Sequence, residues 1–133
     1  MNFRAASTFK AGSFAALEAL LVPKLVAGVT AATNAVFEIS QGLVHVRSGD
    51  LKDSGSVSVE WTGTKVTGYI SYSSEHAAYN EFGTGRRGAA SPGAGPYEYD
   101  PNWPGMAAIP FMRPALDQGR QQTVDAMRAA LGV

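Results

Sequence analysis

The sequence predicts an α+β fold: a long N-terminal helix and a C-terminal helix packed on a small antiparallel β-sheet, with a long Gly/Pro-rich loop. Three patterns predict it. Leu25, Val29, Ala32, Val36, Ile39 and Leu43 recur at alternating spacings of four and three, which is one apolar stripe along a helix. Val57, Val59 and Trp61 then alternate with Ser58, Glu60 and Thr62, the period of a half-buried strand. Near the end, Leu116, Val124, Met127 and Leu131 fall along one side of a second long helical segment.

Taken in order, residues 1–12 read as an N-terminal arm. Ser13 is a capping residue for a helix beginning at Phe14. Pro23 is expected to interrupt that helix and to open a second one, which carries the stripe. The stripe suits a helix packed on its own sheet, the alternative being a coiled-coil seam with another subunit. Ser48-Gly49-Asp50 is a turn, and Gly63-Thr64 a tight turn between Val57–Thr62 and a second strand, in which Val66, Gly68, Ile70 and Tyr72 alternate with Thr67, Tyr69, Ser71 and Ser73. Ala77 to Phe82 is a helical turn or a strand. Residues 84–108 form an extended loop with little regular structure. A last helix is expected from Arg113 to Leu131, ended by Gly132. The whole chain, 1–133, reads as a single domain.

Composition narrows the function. Eleven basic residues balance eleven acidic ones, so gripping a phosphate backbone by net charge is not the main task; lining a channel for DNA remains compatible. Cysteine is absent, which removes disulfides and thiolate chemistry. Charged residues are 17% of the chain, a low share that suits a protein covered in part by a partner. The most apolar N-terminal stretch, Phe14 to Val22, contains Glu18 and meets Pro23, so no membrane span is expected.

Reactive constellations were sought among the remaining residues. Gly83-Thr84-Gly85-Arg86-Arg87-Gly88 has the spacing of a dinucleotide-binding loop. The following Ala89-Ala90-Ser91-Pro92-Gly93 is unsuited to starting the required helix, so the segment reads as a flexible basic loop and no cofactor is expected. His45 and His76 lack metal-type partners at helical or hairpin spacing, and no nucleophile elbow is present. Among Asp50, Asp53, Glu60, Glu81, Glu98 and Asp100 nothing selects a catalytic pair. The expectation is therefore a protein without catalytic residues, metal or cofactor. Tyr97, Tyr99 and Trp103 bring three aromatics into the Gly-rich loop, either as a contact surface or as rings that fold back to order it.

Three motifs occur in sequence: Arg47-Ser48-Gly49-Asp50-Leu51-Lys52-Asp53-Ser54; then Ala78-Tyr79-Asn80-Glu81-Phe82-Gly83-Thr84-Gly85; then Ile109-Pro110-Phe111-Met112-Arg113-Pro114-Ala115-Leu116. In that order they resemble the tail-component family of long-tailed double-stranded DNA phages, described as tail-completion, neck or head–tail joining proteins. The resemblance covers residues 13–131, and the loop carrying Tyr97 to Trp103 looks long for the family. It implies a virion protein, made in the host cytoplasm, that forms a homo-oligomeric ring at the head–tail junction. Its partners would be other copies of itself, neighbouring connector and tail proteins, and genomic DNA passing through the lumen without sequence recognition; no membrane is implied. A tail terminator capping the tube is the near alternative. A small monomeric enzyme or ligand-binding domain using the Tyr97–Trp103 loop is the distant one.

In the ring reading Gly49, Leu51, Glu81, Phe82, Gly83, Pro110, Phe111, Arg113 and Pro114 preserve shape. Arg86, Arg87, Tyr97, Tyr99 and Trp103 are the candidate contacts with neighbours, Arg86 and Arg87 also with DNA unless they form a solvated loop tip. The N-terminal arm and an unprotected hairpin edge are further candidate docking strips.

Overall fold

In a computed structural model the described residues are 2–4, 11–63 and 65–133. The element order is β1 (Asn2–Arg4), α1 (Ala11–Leu43), α2 (Asp50–Asp53), β2 (Gly55–Thr62), β3 (Lys65–Tyr72), α3 (His76–Phe82), α4 (Gly85–Ala89), α5 (Met112–Gln118) and α6 (Arg120–Leu131). The fold is α+β, with a long N-terminal helix, C-terminal helices and a β2–β3 hairpin, as the alternation predicts. These elements divide into two compact units interleaved along the chain. One comprises Met1–Phe37, Val57–Ile70 and Gly119–Val133, the other Glu38–Ser56 and Ser71–Gln118.

In the first unit the stripe on α1 meets its own sheet. Val29, Val66 and Met127 form the buried centre, with Leu25, Val26, Val59 and Leu131 packed around them. The approach of α1 to β3 is close enough that a side chain at Gly68 would run into Thr33. Thr33 itself is buried and donates its hydroxyl to the Val29 carbonyl at 2.6 Å, which removes the cost of hiding it. The sheet order is β1-β3-β2. Asn2, Phe3 and Arg4 pair antiparallel with Thr67, Val66 and Lys65, so part of the arm lies on one edge of β3. The hairpin edge expected to be unprotected is therefore covered along β3, and β2 is the outer strand. Residues 5–10, the rest of the arm, lie outside the described residues.

Several expectations are corrected. Helix α1 starts at Ala11, ahead of Ser13, and continues through Pro23. Proline removes one amide donor and crowds the carbonyl of Ala19. Ala19 and Pro23 are both exposed, so water can take that carbonyl and the cost stays local. Because Pro23 does not end it, α1 is long and apolar enough over Ala15–Leu43 to cross a membrane by length and composition, with mean hydropathy 1.6. Mostly buried core helices of soluble proteins and signal sequences near an N-terminus pass the same test, and here 17% of the window is buried.

Trp61, expected to face inward, is 52% exposed; Val57 and Val59 are half-buried, and the alternation runs on past the covered surface. The C-terminal helix is two helices, with Gly119 between them at φ −83° and ψ 0°. Leu116 on α5 and Val124 on α6 are exposed, while Met127 on α6 is buried. The stop at Gly132 is as expected, in the left-handed conformation with φ 74°.

Candidate functional site

The second unit holds all three motifs. Its core is Val44, Leu51 and Phe111, bordered by Leu43, Tyr72, Ala77 and Met112. The Phe111 ring meets the Tyr72 ring edge-on, with centroids 4.9 Å apart. The Tyr72 hydroxyl, at the far end of the same side chain, lies 2.7 Å from the Ser40 hydroxyl and accepts from Gln41 Nε2 at 2.9 Å. First and third motifs thus meet in one core through Leu51 and Phe111. Gly49 precedes α2 with φ 93°, the positive angle its place in the turn led us to expect.

Second and third motifs are fastened by a polar node. Helix α5 begins at Met112, and the residues before it, Ile109-Pro110-Phe111, include no side chain able to cap it. Glu81, at the end of α3 and 6% exposed, supplies the cap from elsewhere in the chain. Its Oε2 accepts the amides of Phe111 (2.8 Å) and Met112 (3.0 Å), and its Oε1 accepts the Arg113 amide (3.1 Å) and Arg113 Nε (2.9 Å). Pro114 has no amide to satisfy, and the amide of Ala115 returns to the Phe111 carbonyl at 3.2 Å. Every donor of the first turn is accounted for.

The Arg113 guanidinium then donates through one nitrogen to the carbonyls of Glu81 and Gly93, both at 2.7 Å, and lies 4.8 Å from the Phe82 ring centroid. Burial alone would raise the Glu81 carboxyl. The amides of Met112 and Phe111, with the Arg113 side chain and amide, outweigh it and hold the group below its ordinary value of 4.5. A carboxylate so engaged has no lone pair to spare for acid–base chemistry. It fixes where α5 starts.

Gly83, next to Glu81 and Phe82, has φ 74°, and a Cβ there would lie 2.7 Å from the Ala108 amide and from the Gly88 Cα. Only glycine suits so tight a passage. The second motif is helical as α3, resolving the choice between helix and strand. The loop 84–108 is more structured than expected: Gly85–Ala89 is the short helix α4, with Gly85 and Gly88 buried. Its turn exists because the Arg86 and Arg87 amides reach the carbonyls of Trp103 (2.9 Å) and Pro104 (3.0 Å), while Thr84 and Met106 pair as an isolated bridge. Those partners lie far along the chain, beyond the reach of local pattern reading.

The candidate contact residues divide in two. Tyr99 is half-buried and folds back, its hydroxyl accepting the Gly95 amide at 2.7 Å and donating to the Phe82 carbonyl at 2.9 Å. Tyr97 and Trp103 are 56% and 53% exposed, Tyr97 still touching the Phe82 ring edge at 5.2 Å between centroids. The side chains of Arg86 and Arg87 are exposed on α4. A cavity of about 330 Å³ lies beside Tyr97, Tyr99 and Trp103, with Tyr79 and Thr84 on its other walls.

A larger groove, of about 400 Å³, was not anticipated from the sequence. It draws His45 and His76 to one lining, together with Arg47, Lys52, Val46, Tyr79, Met106 and Ile109. Tyr79 borders both hollows. Among the described residues no three of His, Asp and Glu come together as metal ligands would. Compared with protein-family models, curated proteins and solved structures, the chain matches none of them.

Proposed function

We propose that this chain is a structural subunit of a long-tailed phage virion, forming a homo-oligomeric ring at the head–tail interface through which DNA passes. The resemblance of its three motifs supplies the family. The observation that carries the reading is how those motifs are used: Leu51 and Phe111 share a core, and Glu81 is consumed in capping α5 and pairing Arg113. They build a shape, and the one buried carboxylate among them, Glu81, is engaged in it. Around that frame stand large exposed side chains, Val46, Tyr79, Tyr97, Trp103 and Ile109, in a chain with few charges. Such surfaces belong to proteins that are covered by partners.

Helix α1 adds exposed Leu20 and a run of alanines, but its exposed side also carries Lys24, Asn34 and Glu38, which suit protein or water better than lipid. Deleting the gene from the phage that encodes it is expected to leave full heads beside separate tails of normal length, seen by electron microscopy. Overlong tails would move the protein to the terminator position. Intact infectious particles would remove the reading.

One observation favours a monomeric ligand-binding domain instead, the cavity beside Tyr97, Tyr99 and Trp103. On that reading the purified chain remains a single copy, and aromatic substitutions in the loop abolish ligand binding without touching assembly.

A further inference from the structure

We infer that two surfaces of this chain are complementary: the acidic–aromatic tip of the loop on one copy seats in the basic groove on the next. The inference rests on the ring reading and names the interface that closes the ring. The groove is lined by Arg47, Lys52, His45 and His76, with no carboxylate among its lining residues, while Asp50 and Asp53 stand on α2 outside it. Its lining also includes large apolar and aromatic side chains, of which Val46, Tyr79 and Ile109 are 55%, 49% and 40% exposed. A hollow with both features suits an apolar group flanked by negative charge.

The chain carries such a group. From Gly88 to Met112 there is no Lys, Arg or His, and the charges in that stretch are Glu98 and Asp100. They alternate with Tyr97 and Tyr99 and are followed by Trp103. Both carboxylates are exposed, and among the described residues neither they nor Arg47 and Lys52 have an ion-pair partner. Asp100 is held in place by its own turn, its Oδ1 accepting the Asn102 amide at 2.8 Å. Tyr99, bonded to Gly95 and Phe82, anchors the loop so that Tyr97 and Trp103 are presented with little left to order on binding.

The two surfaces are different patches of one subunit. When the tip of each copy enters the groove of the next, the contact is heterologous, and repeated around an axis it produces a ring. The zero net charge of the chain is consistent with copies that attract through opposite local charges.

The test uses two reversed chains, each examined by sedimentation and native mass spectrometry. One carries Arg47→Glu with Lys52→Glu, the other Glu98→Arg with Asp100→Arg. All four positions are exposed, and a thermal melt of each variant checks that the fold is kept. Each reversed chain alone places like charges in contact and is expected to associate at least about tenfold more weakly than wild type. An equimolar mixture pairs acidic grooves with basic tips and basic grooves with acidic tips, so assembly should return.

The shape-keeping pair Glu98→Gln with Asp100→Asn should remove the salt dependence of association. Wild-type-like assembly of either reversed chain alone would overturn this interface and leave the ring standing. Loss in both without rescue in the mixture would also overturn the pairing. A wild-type chain that stays monomeric at every concentration reached would overturn the ring and this interface together.

Discussion

Around Val29, Val66 and Met127 the chain is held by the burial of apolar faces whose periods are visible in the sequence. Around Phe111 it is held by a core of similar size plus a set of polar bonds between segments 17 to 32 residues apart: Glu81 to the start of α5, Arg113 to Gly93, Tyr99 to Phe82, Thr84 to Met106. The first unit needs only amphipathic elements. The second must fix a stretch rich in Gly and Pro, which has too little apolar surface to fix itself. Hydrogen bonds that add little to the stability of a helix–sheet layer become, there, what defines the conformation.

Removing the node separates the two regions most sharply. Glu81→Ala leaves buried amides and a guanidinium unpaired and should cost about 3 kcal/mol in denaturant unfolding, the order expected for stranding buried donors. Amide hydrogen exchange in the same variant should rise first across residues 76–118, with the α1–β3 amides of the first unit protected longer. Simultaneous loss of protection in both units would mean that they form one cooperative fold and that the contrast is only descriptive.

A smaller effect is expected in the first unit. Val29→Ala, at a fully buried position, should cost about 2 kcal/mol by lost burial and the cavity left behind. Its exchange pattern should be the reverse, opening α1 and β3 first. A change below the error of the measurement would show that this core collapses around the gap and is less tightly packed than the contacts between α1 and β3 imply.

The smallest effect sharpens the electrostatic side. Glu81 has a folded pKa below its ordinary value, so its contribution is fully present above pH 4.5 and is lost as pH falls through the depressed folded value. Glu81→Gln should therefore be less stable than wild type at pH 7, with the difference narrowing below pH 4.5. An unchanging gap between the two stability curves across that acid range would show that the carboxylate's charge is not what holds α5.

How much could be read beforehand depends on the range of the interaction concerned. The stripe on α1, the hairpin and the αL stop at Gly132 express local periodicity and local backbone preference, and all three elements appear in the structure, although on the hairpin Trp61 is exposed and Thr67 is buried against the alternation. Of the motif residues, Gly49 and Gly83 take the positive φ that glycine permits, and Pro114 sits in the first turn of α5, both matters of local backbone preference. The role of Glu81 was not, because nothing local distinguishes a capping carboxylate from a solvated one. A clue was present in the missing cap before Met112: a helix with no nearby capping side chain must find one elsewhere.

By itself the sequence determined the α+β class, the helix and strand periods, and the absence of thiol chemistry, since each follows from residue types and spacings alone. Tertiary structure decided that α1 runs through Pro23, that Gly119 divides the last helix, that α4 forms within the glycine loop, and that His45, His76, Arg47 and Lys52 share a groove. In each case partners remote in sequence, or solvent at an exposed turn, offset a local preference of a few kcal/mol or less, and such partners cannot be counted until the chain has folded.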